Sequence, residues 1–288
     1  MKTKTIVPLL AVGLLGGSSC ATWEAPENQL TLLRSFEVKG RQGIAVDRDH
    51  YYVSGSTSLY RYTKEGQMVT SNEDPFKGYP IRANHIGDID VHNGELFLSI
   101  EWFEDGEGKD IQITVHDAET LAFKRHFPFE PESGQREVSG IAVDRERERI
   151  WMCSWVGGES GRHLYEYDLK TGHYLRKLAM NPAPAWIQGV YCHDGALFIT
   201  ADDGDADKNE FDRVYRVSLD PKDEGKTTVF MTLSEVKRVG EIEGLAFDTS
   251  RNEWLIHHNR GKRIVRGMPK VFYPGYDREI REVYVFGQ

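Results

Sequence analysis

The chain has 288 residues, of which 39% are hydrophobic and 28% are charged, as in an ordinary soluble globular protein. Its 36 basic and 45 acidic side chains give a formal net charge of −9. This charge argues against a surface for nucleic acid or an anionic membrane, since both need clustered Lys and Arg. It fits a protein that binds a small molecule or a cation.

The first twenty residues predict a secretory signal peptide, residues 1–20. Lys2 and Lys4 give a positive start, residues 6–15 are apolar, and small residues lead to Cys20. The segment resembles the signal of bacterial lipoproteins, which implies lipidation of Cys20, and ordinary cleavage after Ala21 is the alternative. Residues 21–29 are then a tether. We expect an exported lipoprotein facing the periplasm or the cell surface, touching the membrane only through its lipid, or otherwise a periplasmic or secreted protein.

A phrase of six residues recurs five times in the remainder of the chain. Its copies are Gln42–Asp47, Gly87–His92, Ser139–Asp144, Gln188–His193 and Glu243–Asp248. Each copy is followed by a turn and a second apolar run, and the copies recur roughly every 45–55 positions, which indicates a β-propeller. The sequence therefore predicts an all-β chain with one propeller domain over residues 30–288.

Each repeat divides into four predicted strands. The repeated phrase forms the innermost strand, and the most polar segment forms the outermost one. The last repeat lacks an outermost strand, and residues 30–38 supply a spare one. Pairing the two would close the ring and remove its open edges. Five blades result, and six blades with one degenerate blade is the alternative.

The phrase, followed by a run such as Tyr52-Val53-Ser54, resembles blades of the gluconolactonase/SMP-30 and NHL-type propellers. The resemblance implies a divalent metal held just before the glycine of each phrase. Glu243 matches the Glu of that ligand set, and Asp88 would make up its charge. The implied activity is that of a metal-dependent hydrolase of lactone or ester type. A non-catalytic binding or interaction module on the cell surface is the alternative, because one fold hosts both.

The connections predicted at residues 101–110, 155–162, 201–212 and 257–282, with the strand ends beside them, place aromatic and polar side chains at one mouth of the predicted ring. We expect them to bind a small or sugar-like ligand, a carbohydrate included. The residues predicted to contact this ligand are Gln42, Glu101, Trp102, Trp155, Trp186 and Gln188. His85 and His258 are the candidates for proton transfer.

The connection after the fourth repeat's second strand is acidic. Asp203, Asp205 and Asp207 alternate as the oxygen ligands of calcium loops do, which predicts a calcium site, and a solvated acidic loop is the alternative. Cys153 and Cys192 fall in apolar strands of different blades, which favours buried thiols over a disulfide. We expect a monomer.

Overall fold

The computed structural model describes residues 30–265 and 268–288. Over these ranges the regular structure consists of strands and three short 3₁₀ turns, and no helix is long and apolar enough to cross a membrane. The signal peptide, Cys20 and the tether lie outside the described residues.

The strands form five four-stranded antiparallel blades, preceded in the chain by β1 (Thr31–Glu37). Blade one contains β2 (Ile44–Val46), β3 (His50–Gly55), β4 (Ser58–Thr63) and β5 (Met68–Asn72). Blade two contains β6 (His85–His92), β7 (Glu95–Glu104), β8 (Glu107–Asp117) and β9 (Phe123–Pro128). Blade three contains β10 (Gly140–Asp144), β11 (Arg149–Cys153), β12 (His163–Asp168) and β13 (Tyr174–Ala179). Blade four contains β14 (Ile187–His193), β15 (Ala196–Ala201), β16 (Arg213–Ser218) and β17 (Thr227–Thr232).

Blade five begins with β18 (Gly240–Asp248) and β19 (Glu253–Arg260). A separate hairpin of β20 (Lys262–Val265) and β21 (Met268–Phe272) follows, and the chain returns as β22 (Ile280–Gly287). The prediction of a five-bladed propeller is confirmed, and the six-bladed alternative is wrong.

The N-terminal strand closes the ring as predicted. β1 pairs antiparallel with β22, from Thr31 opposite Gly287 to Glu37 opposite Glu282, and so becomes the outermost strand of blade five. Arg34 fixes this strand to β19 through two hydrogen bonds to the Glu253 carboxylate, at 2.8 and 2.7 Å. The first and last described strands thus share one sheet, which leaves neither as a lone edge.

Burial falls from the axis outward, and this explains the order of polarity in each repeat. β10 is buried throughout, whereas β13 is mostly exposed. An inner strand is covered on both faces by neighbouring blades, so its apolar residues run without alternation. Each fully buried Val, Leu or Ile side chain stabilises the fold by about 1.5–3 kcal/mol.

The glycines of the repeated phrase make room for one carboxyl group on the axis. A Cβ at Gly43 or Gly244 would overlap Asp88 Oδ1, and one at Gly189 would lie 2.9 Å from Asp88 Oδ2. The Asp88 carboxyl accepts from the backbone amides of Ile44, Ile89 and Val190, at 3.2, 2.8 and 3.3 Å. It therefore links blades one, two and four across the centre of the ring.

Candidate functional site

A cavity of about 250 Å³ opens at the end of the ring where the innermost strands begin, and we call it the central cavity. Its lining residues are Arg41, Gln42, Ser56, His85, Phe103, Glu137, Ser139, Trp155, Gln188, Glu241, Glu243, Lys262 and Ile264. The predicted residues Gln42, Gln188 and Glu243 are among them, as is the predicted proton-transfer residue His85. Glu137, Glu241 and Lys262 were not predicted.

Two of the missed residues, Glu137 and Glu241, belong to a second set of side chains that lies two positions upstream of the predicted one. Alternation along a strand places residues two apart on the same face. Two positions before Ser139 and Glu243 stand Glu137 and Glu241, and the corresponding residue of blade two is His85. A sequence comparison extended two residues upstream of each phrase would have found both glutamates, and the corresponding residue of blade four is the predicted Trp186.

Glu137 and Glu101 form a buried carboxyl pair on the blade two and blade three side of the cavity. Their exposed fractions are 2% and 0%. Glu137 Oε2 accepts from the backbone amide of Trp155 at 2.5 Å, and Glu101 Oε2 accepts from that of Val138 at 3.0 Å. Within the described residues no hydrogen bond engages Glu137 Oε1, which leaves this oxygen available to a ligand.

His85 connects this pair to the cavity. Its Nδ1 lies 3.0 Å from Glu101 Oε1, and its Nε2 has no hydrogen-bond partner in the described part of the chain. Burial lowers the pKa of His85 to about 4 and raises the pKa of Glu101 to about 8. These directions favour the neutral forms, so the contact joins a carboxylic acid and a neutral imidazole.

Burial also raises the pKa of Glu137 well above its ordinary value, and the neighbouring Glu101 carboxyl raises it further. The repulsion between the two carboxyl groups disfavours ionising both at once in a dry site. The pair can therefore hold a proton at neutral pH and release it to a substrate.

The opposite wall belongs to blade five and carries a second pair of carboxyl groups. Glu241 accepts from Arg41 Nη2 at 3.2 Å and from Gln188 Nε2 at 3.1 Å. Glu243 accepts from Asn259 Nδ2 at 2.6 Å. Burial raises the pKa of Glu243 well above its ordinary value, and the charge of Glu241 adds to this effect.

Asp88 lies below the central cavity and does not line it. Burial raises its pKa well above the ordinary value, although three backbone amides favour the charged form. The residue predicted as the leading metal ligand is thus already hydrogen-bonded within the axis. Over the described ranges, no three His, Cys, Asp or Glu side chains gather as a group that could hold a metal ion.

The acidic loop of blade four directs its carboxyl groups to separate partners. Each of the three predicted calcium ligands has its own partner. Asp203 pairs with Arg213 at 3.1 Å and accepts a hydrogen bond from the Tyr215 hydroxyl. Asp205 pairs with Lys208 at 2.8 Å, and Asp207 pairs with Arg263 at 2.9 Å. Calcium binding at this loop stays a prediction.

The predicted tryptophans occupy different places. Trp155 lines the central cavity and lies 5.0 Å, between ring centroids, from Trp186, which lines two adjoining cavities. Trp102 lies away from the central cavity, under the Arg82 guanidinium at 4.6 Å. Glu101 and Trp102, expected in a loop, lie in β7, because β7 and β8 continue as a hairpin to a turn at 105–106.

His257 and His258 also belong to a strand, β19, and the loop predicted from residue 257 onward begins only after Arg260. His257 Nε2 lies 3.1 Å from the carbonyl oxygen of Gly40, beneath blade one. His258 does not line the central cavity. It lies behind the acidic loop, with its Nε2 3.5 Å from Asp212 Oδ2. Cys153 is buried, Cys192 is half-buried, and both are free thiols.

Comparison with known proteins places the fold. No family model matches the sequence, and no curated protein matches it. The structure is similar to that of Myxococcus xanthus glutaminyl cyclase, with a TM-score of 0.55 and 10% identity over 89% of this chain and 96% of that chain. It is also similar to a luciferin-regenerating enzyme, with a TM-score of 0.53 and 11% identity over 88% of this chain and 92% of that chain. These likenesses show a shared β-propeller fold, and both of these propellers are enzymes by name.

Proposed function

We propose that the protein is an enzyme that transfers protons to and from a small polar substrate in the central cavity. The observation that carries the proposal is the buried pair Glu101 and Glu137, with one carboxyl oxygen of Glu137 open to the cavity. A buried carboxyl group that holds a proton near neutral pH is suited to general acid–base catalysis.

The first reaction to test is cyclisation of an N-terminal glutaminyl residue, which the name of the similar Myxococcus xanthus protein suggests. In this reaction the α-amine attacks the side-chain carboxamide carbon, a carbon–nitrogen bond forms, and ammonia leaves. One proton must reach the departing nitrogen, and one must leave the attacking amine. A protonated Glu137 can perform both transfers in turn, and it then returns to its starting state.

The residues of the cavity have complementary roles in this proposal. Glu137 donates the proton to the departing nitrogen, and the resulting carboxylate takes the proton of the attacking amine. Gln42 and Gln188 keep their side-chain carbonyl oxygens free of hydrogen bonds among the described residues, and these oxygens can accept from the substrate carboxamide. Lys262 lines the cavity without an ion pair to any described residue, and its charge would stabilise the oxyanion.

The test is ammonia release from short glutaminyl peptides, with the cyclised product identified by mass spectrometry. We expect the wild-type protein to catalyse this reaction. The rate of Glu137→Gln should be lower by about 10²–10⁴-fold, because the variant cannot give up a proton. Glu159→Gln is the matched control, since Glu159 is exposed and lies in the connection between β11 and β12 of blade three. Full activity of Glu137→Gln would refute the proposed role of this carboxyl.

A metal-dependent lactonase would behave differently. Its activity would fall on chelation and return with a divalent ion, whereas proton transfer by Glu137 would survive the chelator. Lactones and simple esters therefore belong in the same substrate panel, assayed with and without chelator. Turnover of a lactone that needs a metal and tolerates Glu137→Gln would favour the hydrolase that the sequence resemblance implies.

A further inference from the structure

A cleft of about 220 Å³ adjoins the central cavity between the loops of blades three and four, and we call it the tryptophan cleft. The β11–β12 connection forms one side and the β13–β14 connection forms the other, and Trp155 lines both the cleft and the central cavity. The cleft is smaller than sites for whole small molecules, which measure about 300–1,000 Å³. It therefore suits one group of a ligand whose other end occupies the central cavity. The proposed function makes no use of it.

Trp155 and Trp186 form an aromatic wall of the tryptophan cleft. Their ring centroids lie 5.0 Å apart, their ring planes are inclined by 45°, and both residues are half-buried. In the described part of the chain neither indole N–H has a hydrogen-bond partner, and neither is shut away from solvent as those of Trp102 and Trp151 are. An aromatic group of a ligand can therefore pack on this wall while a carbonyl group of the same ligand accepts from an indole N–H.

The backbone of Trp186 adopts a conformation that is rare for a bulky side chain. Its φ is +57°, in the left-handed region. The Trp186 carbonyl accepts from the amide of Asp202 at 2.9 Å, and β14 begins at the next residue, Ile187. Strained residues of this kind persist where the surrounding structure enforces them, and they concentrate at active sites and ligand clamps. The contact between the two tryptophan rings thus depends on an unfavourable backbone conformation that the fold maintains.

Trp155 also connects the tryptophan cleft to the proposed catalytic carboxyl group. Its backbone amide donates to Glu137 Oε2 at 2.5 Å, and its ring lines the cleft. A ligand group that packs on the ring would hold in place the amide that orients Glu137. Binding in the cleft would then favour the reactive geometry in the central cavity as well as the affinity.

A cation lines the same cleft. Arg162 is exposed and forms no ion pair with any residue that the structure describes. Its guanidinium group carries five N–H donors, which suit a carboxylate. In a dipeptide whose first residue occupies the central cavity, the groups that follow are the second side chain and the terminal carboxylate. The tryptophan wall and Arg162 match these two groups.

We infer that the tryptophan cleft is a subsite for an aromatic side chain on the residue that follows the reacting one, with Arg162 binding the carboxylate of that residue. The inference rests on the proposed function, because it takes the central cavity as the place of the reacting residue. The substrate class is then a dipeptide in which an N-terminal glutaminyl residue precedes an aromatic residue.

The experiment measures binding without turnover. Methionyl-phenylalanine has no carboxamide and cannot cyclise, and isothermal titration calorimetry compares it with methionyl-alanine and with methionyl-phenylalanine amide. We expect wild type to bind methionyl-phenylalanine at least about tenfold more tightly than either of the others. Trp186→Ala should lower the preference for phenylalanine over alanine below about threefold and keep the preference for the free carboxylate. Arg162→Gln should do the reverse, and Trp102→Ala, which removes an indole outside the cleft, should keep both preferences.

Equal affinities of methionyl-phenylalanine and methionyl-alanine for wild type would overturn the inference. So would a preference for phenylalanine that Trp186→Ala retains, or the absence of binding by all three probes at millimolar concentration. Equal affinities of the acid and the amide would overturn the part assigned to Arg162. Ammonia release from glutaminyl-phenylalanine and glutaminyl-alanine is measured on the same preparations, and kcat/KM should be higher for the former. A preference for phenylalanine in binding without ammonia release from either dipeptide would refute cyclisation and leave the aromatic subsite standing.

Discussion

Removal of the axial carboxyl group tests how the ring is held together. Asp88→Ala leaves the backbone amides of Ile44, Ile89 and Val190 without this acceptor in a buried site. Each stranded amide costs about 1–3 kcal/mol, so we expect a loss of about 3–9 kcal/mol in the free energy of unfolding. For a domain of this size that corresponds to a fall in Tm of roughly 5–35 °C.

Thermal and urea unfolding of three variants give the comparison. Asp88→Asn keeps one acceptor oxygen and should lose less stability than Asp88→Ala. Asp49→Ala, an exposed residue of blade one, carries the same change of charge and should resemble wild type. If Asp88→Ala unfolds at the temperature of Asp49→Ala, the axial hydrogen bonds do not stabilise the ring. Metal analysis of the same samples decides the earlier prediction, because a divalent ion present in wild type and absent from Asp88→Ala would make Asp88 a ligand.

Three further predictions concern protonation, packing and export. The pKa of Glu101 is raised by burial from 4.5 to about 8, so its stabilising contribution is present below pH 4.5 and is lost as the pH rises to about 8. Between pH 4.5 and about 8, the free energy of unfolding measured with urea should fall by up to about 1.4 kcal/mol per pH unit. The fall should be shallower in Glu101→Gln. A free energy of unfolding that rises over this pH range would contradict the burial argument. Gly108→Ala should reduce the rate of ammonia release at least about tenfold, because the new Cβ would overlap Glu101 Oε2 and displace the carboxyl pair from its catalytic geometry. Gly157→Ala is the control: its Cβ would lie in open space, so the rate should not change. We also propose that the protein is an exported lipoprotein: palmitate should label wild type in cells and fail to label Cys20→Ser, and equal labelling would exclude Cys20 as the acceptor.

The architecture was predictable because one phrase marks one innermost strand in every blade. Blade number, the order of the strands and ring closure by residues 30–38 all follow from aligning the copies. Charged stretches were the weak point. Residues 101–110 read as an acidic loop, but β7 and β8 continue through them because their backbone groups pair with each other, and this pairing outweighs the low strand preference of Glu and Asp.

The candidate site was predictable in its location more than in its chemistry. The residues before the four glycines of the phrase line the central cavity, because the repeat fixes where an innermost strand begins. Glu137 and Glu241 were missed because they lie upstream of the repeated phrase, where the copies no longer look alike. The partners of Asp88 could not be predicted either, since two of the three are backbone amides of other blades, and a sequence does not show which amides converge on an axis.

Closure by β1 also sets the order in which the molecule can be completed. Thr31 pairs with Gly287, so the first described strand waits for the last described one before blade five is complete. Contacts of such long sequence separation make folding slow, because the entropy of closing the whole chain is lost before the contacts form. Until then β1 remains an unpaired strand, exposed to other chains. β1 therefore covers an open sheet edge in the folded ring, but until it pairs it is the main segment through which the unfinished chain can aggregate.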